Sequence, residues 1–403
     1  MKEIDIDYNG LFRHLEDLRK VLLVTTGRTG SDFFQSLLDG HSEILQFTGM
    51  WKHHWWWKQA KCKENLPDLI NEFIWYTCSF TFCNHIAKFK SCYNKQERWG
   101  QLGANKNESF EVDMDTFKNH MLNILTDKES NSKNFFLAVN LAYGLTTGVD
   151  IKKTKIIFYH IHHFERLKDF KEDFPDFDII CTVREPRNTL VSGIEHWKKY
   201  DINTYNSRFF YQLLKRIFEE SEPILQDTGN IKTLKLEDLH LFSKETLSEF
   251  CQMYNLELEN CMFESSYHGK KWWGDVLSGK YLDGFNKDIN ERKWRDKLFF
   301  YDNLLIEFIL EDRLRHYGYF IENKISRIYL ILIWFLVFLP MKYELKILAY
   351  NFRSNRTANA KLLVLCKGWG FYILRILLYF KFILKKVTKK IFLADFFIQE
   401  KYR

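Results

Sequence analysis

The sequence predicts an α/β protein whose central parallel sheet is covered by helices on both faces, continued by a helical C-terminal tail of different character. Short apolar, β-branched runs recur along the first part of the chain, and stretches with apolar residues at helical spacing separate them. That alternation is the mark of a parallel sheet with helices packed on each side. The tail is predicted by a change of composition: from Ile325 onward the chain is strongly basic yet keeps long aliphatic runs.

Taken in order, VLLVTT predicts a strand at Val21–Thr26. It runs into a helix at Ser31–Asp39, where Phe33, Phe34, Leu37 and Leu38 repeat on one face. Helices are expected at Asp68–Phe89 and Asp113–Leu125, and the run FFLAV predicts a strand at Phe135–Val139. A further strand, Lys155–His160, precedes the strand Asp178–Val183, whose turn carries Pro186 and opens a helix over Pro186–Lys199. A helix at Thr204–Glu222, a strand at Ile231–Leu236 and helices at Lys244–Tyr254 and Leu298–Tyr317 complete the main domain, residues 1–324. The boundary to the tail, residues 325–403, falls near Glu322–Ser326, and polar stretches at Asn94–Glu111 and Asp127–Asn134 read as loops. The length suits one large α/β domain with added elements.

The first strand-to-helix turn, TTGRTGSDFF, holds an arginine and several hydroxyls between two glycines. Gly27 and Gly30 permit tight backbone geometry, and Ser31 stands where an N-cap would stand, so backbone N–H groups converge at the positive end of the helix dipole. Arg28 adds a fixed cationic fork, and Thr29 and Ser31 add hydroxyl donors. The pattern describes a phosphate-type anion site. A nucleoside-triphosphatase loop needs G-x-x-x-x-G-K-[ST], and Ser31, not lysine, follows Gly30.

The stretch TGRTGSDFFQSLLDGHSEI resembles the 5′-phosphosulfate loop of sulfotransferases, a strand, then K/R-[ST]-G-[ST]-x-aromatic/Leu, then a helix. Asp32 departs from the commoner small or hydroxyl residue, and Ser42 stands where proline is usual. In DIICTVREPRNTLVSGIEHWKK, Arg184 at a strand end and Ser192 eight positions later resemble the family's 3′-phosphate motif. Arginine at the carboxyl end of a parallel strand points to the crevice where open α/β sheets bind ligands, and Ser192 lies two helical turns on. IKTLKLEDLH resembles the family's strand before "YEDL", and SYHGKKWWGD is similar to its late nucleotide-covering loop, from which Gly269, Lys270 and Trp272 carry over. The likeness covers about residues 20–318 and leaves 50–130 unmatched.

The resemblance implies a P-loop-like fold and transfer of the sulfuryl group of 3′-phosphoadenosine-5′-phosphosulfate (PAPS) to a hydroxyl, leaving the bisphosphate PAP, without a metal. Gly27, Arg28, Thr29, Gly30, Ser31 and Asp32 would hold the 5′ end, Phe33 would lie by the adenine, and Arg184 with Ser192 would hold the 3′-phosphate. Arg28 would also neutralise the leaving group. The base is expected in KIIFYHIHHFERL: counting from the strand favours His160, counting back from the arginine favours His162, and His163 and Glu165 remain candidates. MWKHHWWWKQ offers indoles for sugar rings or for the core, and Lys52 or His53 for an anionic acceptor.

The tail carries fifteen basic residues against three acidic ones, or +12, which leaves the first 324 residues at −5 within the chain's net +7. Ile328–Met341 is an uncharged run shorter than the ~20 residues that span a bilayer. KLLVLCKGWGFYILRILLYFKFILKKVTKK mixes aliphatic and aromatic residues with lysine and arginine, as a helix lying in a membrane interface does. Long aliphatic runs dilute its bases, which speaks against nucleic acid. Eight cysteines without a CxxC pair and an acidic, polar start imply reduced thiols and no secretory signal, hence a cytoplasmic enzyme, peripheral or monotopic on the inner face of a membrane. The expected acceptor is a glycan or glycolipid. Two other readings predict different behaviour: a P-loop-type nucleotide kinase, and a non-catalytic membrane-bound phosphate-binding protein.

Overall fold

A computed structural model describes residues 6–25, 27–49, 51–60, 65–76, 102–108, 110, 112–161, 167–200, 205–219, 231–274, 281, 284–323, 327–353 and 357–388. The chain forms two compact units, Met1–Thr182 with Asp227–Lys287, and Val183–Gln226 with Asp288–Phe396.

The first unit holds the sheet. Helix α1 (Tyr8–Asp17) is capped by Asp7, whose carboxylate accepts from Gly10 N, and leads into β1 (Arg19–Thr25). After α2 (Ser31–Leu37) come β2 (Ile44–Gln46), α3 (His53–Ala60), α4 (Leu66–Tyr76), α5 (Met114–Leu125) and α6 (Ser132–Thr147). Then follow β3 (Ile156–Ile161), α7 (Leu167–Asp173), β4 (Asp178–Val183) and β5 (Ile231–Lys235), the last leading into α10 (Leu236–Leu241) and α11 (Ser243–Tyr254). The parallel five-stranded sheet has the order β2-β3-β1-β4-β5. Every residue of β3 and β4 is buried, as are all of β1 but Arg19, because helices cover both faces. Arg19, at the start of β1, forms a two-pronged ion pair with Asp178 at the start of β4 and so fixes the register of Val21 against Asp178.

Four expected strands match β1, β3, β4 and β5 to within a residue or two at each end. The strand expected at Phe135–Val139 is wrong: those residues lie inside α6. All ten residues from Phe135 to Gly144 are buried, so no polar face reveals the helical period, and a short apolar window reads equally well as a strand. The helix signals lie further apart. Asn131 caps the start through a bond from Asn134 N, and Gly148 ends the helix at φ 80°.

The second unit is helical. It contains α8 (Pro186–Tyr200), α9 (Ser207–Glu219), α12 (Phe300–His316), α13 (Arg327–Leu336), α14 (Lys342–Arg353) and α15 (Ala358–Thr388). One continuous apolar core joins all of them: Leu190 and Ile194 of α8 and Leu214 of α9 share it with Leu305 of α12, Ile333 of α13, Tyr343 of α14 and Tyr379 of α15. Arg375, in the middle of α15, is fully buried and donates to Glu344 and to the carbonyls of Val337 and Leu339. The tail is therefore built into this unit's core, with one charge pair locking α15 to α14.

Candidate functional site

The bend between β1 and α2 departs from ordinary backbone geometry at three positions. Gly27, Arg28 and Gly30 have φ of 96°, 62° and 85°. Only glycine adopts that region at no cost, so Arg28 stores roughly 1–2 kcal/mol of strain there. Gly30 is needed twice over: a Cβ at that position would stand 2.3 Å from the side chain of Leu236. At Gly27 the same atom would meet nothing within 4 Å, so its φ alone demands glycine. Gly30 in the left-handed region followed by helical Ser31 turns successive backbone N–H groups the same way, a concavity suited to an anion.

The hydroxyl of Thr29 does not line that concavity. It is fully buried, 2.6 Å from Thr25 Oγ1 and 2.8 Å from Thr182 Oγ1, and ties the bend to the ends of β1 and β4. Ser31 is buried, Asp32 is exposed and Phe33 is buried, its ring stacked 4.6 Å from that of His240 with Phe285 edge-on. Leu236 and His240 follow β5 directly, so the strand resembling the "YEDL" segment backs both Gly30 and Phe33.

His160 of β3 lies beside α2. Its Nδ1 is 3.0 Å from Gln35 Oε1 and 3.8 Å from Asp32 Oδ1. The Gln35 amide nitrogen donates to the carbonyl of Phe47 at 3.1 Å, which turns its oxygen toward the imidazole. Nδ1 therefore carries the proton in the neutral ring, and Nε2 is the basic nitrogen. Sequence reading missed Gln35, since nothing local distinguishes a helix glutamine that orients a strand histidine. His162, His163 and Glu165 lie outside the described residues.

The segment around Gly269 is a tight hairpin. Ser266–Tyr267 pairs with Lys270–Lys271, and the two turn residues, His268 and Gly269, have φ of 53° and 68°. It docks on α2 and the turn after it: Tyr267 donates to Asp32 O, Ser265 Oγ is 2.6 Å from Ser36 Oγ, and Asp39 accepts from Ser266 and from Gly269 N. Lys270 pairs with Glu108, and Trp272 packs on Tyr267 and Leu102. His268 is held neutral by burial, its pKa lowered to about 4, with Nε2 2.8 Å from both Thr48 Oγ1 and Tyr143 Oη.

Arg184 and Ser192 belong to the helical unit and are each half-buried. Between them Arg187 is a fully buried hub that the sequence did not announce. It donates to Glu185, Asn303, Glu307 and the carbonyl of Phe320, and its guanidinium lies 4.0 Å from the centre of the Trp294 ring. Glu185 also accepts from Asn188 N at 2.7 Å, and Glu195 accepts from Tyr343. The first turn of α8, and with it the residue two places beyond Thr182, is thus fixed by buried charge.

Among the indoles, Trp51 and Trp56 are core residues packed on Phe73 and on Phe135 or Phe136 of α6; Trp55 and Trp57 are half-buried. His53, like His160, is fully buried. No protein-family model matches this chain, and no curated protein matches it.

Proposed function

We propose that the protein is a sulfotransferase of P-loop-like fold that moves the sulfuryl group of PAPS to a hydroxyl of a glycan or glycolipid at a membrane face. The observation that carries this reading is the strained bend Gly27–Ser31, with an arginine forced into the left-handed region, next to a buried histidine oriented by Gln35. Strain of this kind is held in place by the surrounding structure and clusters at active sites and ligand clamps. A kinase would need a lysine after Gly30, and Ser31 stands there.

The donor supplies the sulfuryl group and an anionic phosphate as leaving group. The bend's N–H groups and Arg28 bind and stabilise the charge that grows on that phosphate. Arg184, just before α8, and Ser192 on it hold the 3′-phosphate. As the acceptor oxygen bonds to sulfur and the bond from sulfur to phosphate oxygen breaks, the acceptor proton passes to a histidine. His160 is suited to that role because Nδ1–H is already committed to Gln35 and Nε2 has the lone pair; His162 is the second candidate.

Membrane attachment is supported by the surface of the helical unit. Phe335, Phe338, Phe352, Leu362, Trp369 and Leu377 are all exposed, and Trp369 is 64% exposed. Ala358–Lys386 is by length and composition apolar enough to cross a bilayer, but Tyr379, Phe382 and Ile383 pack into the core. A helix with one flank committed to protein and the other apolar suits an interfacial position. The test is to incubate the protein with sulfur-labelled donor and membrane glycolipids: label in a lipid product supports transfer, and donor binding without labelled product rejects it.

A further inference from the structure

A second cluster of nitrogen and oxygen donors lies in the sheet unit, apart from the bend. His53 and His54 open α3, and Asp173 closes α7. One ligand atom from each of the three lies within 4.8 Å of the others. His54 Nε2 is 2.9 Å from Asp173 Oδ2, and the rings of His53 and His54 are 4.8 Å apart, nearly perpendicular.

His53 supplies the argument. It is fully buried, and its Nε2 is 2.9 Å from the carbonyl of Ser132. A carbonyl only accepts, so Nε2 carries the proton and Nδ1 holds a lone pair. That Nδ1 is buried without a hydrogen-bond partner. An unsatisfied buried polar atom costs about 1–3 kcal/mol, so one in a native fold calls for an explanation, an ion among them. The rest of the arrangement matches the outer sphere of a metal-bound imidazole, in which the far nitrogen donates to a backbone carbonyl and an apolar shell surrounds the ring. Here the carbonyl is that of Ser132, and the shell is Trp51, Trp57, Phe135 and Phe136.

We infer that His53 Nδ1, His54 and Asp173 form a binding site for a divalent first-row transition metal that clamps the start of α3 to the end of α7. Two imidazoles and one carboxylate select zinc or its neighbours over calcium or magnesium, and they leave a coordination position for water. A metal about 2.0–2.1 Å from each atom would bring the three to about 3.3 Å of one another, so binding draws the widest pair, now within 4.8 Å, together by up to about 1.5 Å. Asp173 is half-buried, the most open of the three, which gives the ion a way in. The site stands apart from sulfuryl transfer: Tyr159, whose hydroxyl donates to Trp51 O and lies 3.2 Å from His53 N, is on the opposite face of β3 from its neighbour His160.

The test uses the full chain, stripped with chelator and titrated with cobalt(II). The expected result is one equivalent of cobalt per chain with visible absorption of a four- or five-coordinate ion, no thiolate charge-transfer band, displacement by zinc, and a raised melting temperature. His54→Ala and Asp173→Ala, which leave the aromatic shell intact, should each weaken binding by more than the roughly 10–100-fold that loss of an outer-sphere partner costs. Absence of binding, a thiolate band, or parental affinity in both variants would overturn the proposal. Asp173→Asn, which keeps an oxygen acceptor for His54, checks that a loss is not unfolding: it should melt as the metal-free parent does and bind cobalt more weakly, and parental affinity in it would count against the site.

Discussion

Arg28 is where stability and function pull against each other. Its φ of 62° is unfavourable for any residue with a Cβ, so Arg28→Gly should raise fold stability by about 0.5–1 kcal/mol while removing the cation proposed to meet the leaving phosphate. Calorimetric melting together with donor affinity checks this, and a variant that loses stability along with binding would mean that the strain is not there. Gly30→Ala should instead disrupt the bend, since its Cβ would collide with Leu236. If His160 is the base, His160→Ala should lower turnover by about 10²–10⁴ with little change in donor affinity. Gln35→Leu would then shift the pH profile of turnover, because the tautomer is no longer imposed from Phe47. The bend and His160 were legible in the sequence because glycine, arginine and histidine announce their chemistry. Gln35, Arg187 and the hydroxyl chain of Thr25, Thr29 and Thr182 were not, since each depends on a partner more than a hundred residues away.

At the level of elements, the strands that are short apolar, β-branched runs and the helices with a polar face could be read directly, and α6 could not. Its burial erased the periodicity on which the reading depends. The three-residue β2 and the indole-rich α3 escaped for a related reason: a strand that short carries no alternation, and HHWWWKQA has no apolar stripe. In the helical unit, α12 and α14 are joined by a buried carboxylate. Asp302 Oδ2 accepts from Phe299 N at 3.0 Å and from Lys342 N at 3.1 Å, yet burial pushes its pKa up to about 6 from an ordinary 3.8. The folded state therefore holds a proton that the unfolded chain releases. Its contribution is complete below about pH 4 and lost as pH rises through about 6. Asp302→Asn keeps an acceptor for both N–H groups without the charge, so its stability should not fall across that window and should exceed the parent at pH 7 by about 1–3 kcal/mol. Denaturant titrations at pH 4, 5, 6 and 7 measure it, and parallel curves for the two proteins would contradict the assignment.

For the molecule as a whole, the tail's charge and apolarity were evident from composition, whereas its share in the core of the helical unit was not, because packing partners in α9 and α12 lie far away in sequence. Removing residues 325–403 would strip much of the helical unit's core, so attachment is better tested at exposed positions. Replacing Phe335, Trp369 and Leu377 by serine should weaken binding to anionic vesicles by at least about tenfold, since each side chain contributes up to about 1.5–3 kcal/mol on burial, with little change in melting temperature. Unaltered sedimentation with vesicles would place the membrane contact elsewhere. The proposed function requires that one nucleotide engage both the Gly27–Ser31 bend and the Arg184/Ser192 pair. The most direct measurement is calorimetric affinity for adenosine 3′,5′-bisphosphate beside adenosine 5′-monophosphate, in the parent and in Arg184→Ala. The account predicts a preference for the bisphosphate that falls by about 1.5–3 kcal/mol in the variant while monophosphate affinity is unchanged; equal affinity for the two nucleotides in the parent, or an undiminished preference in the variant, would contradict it.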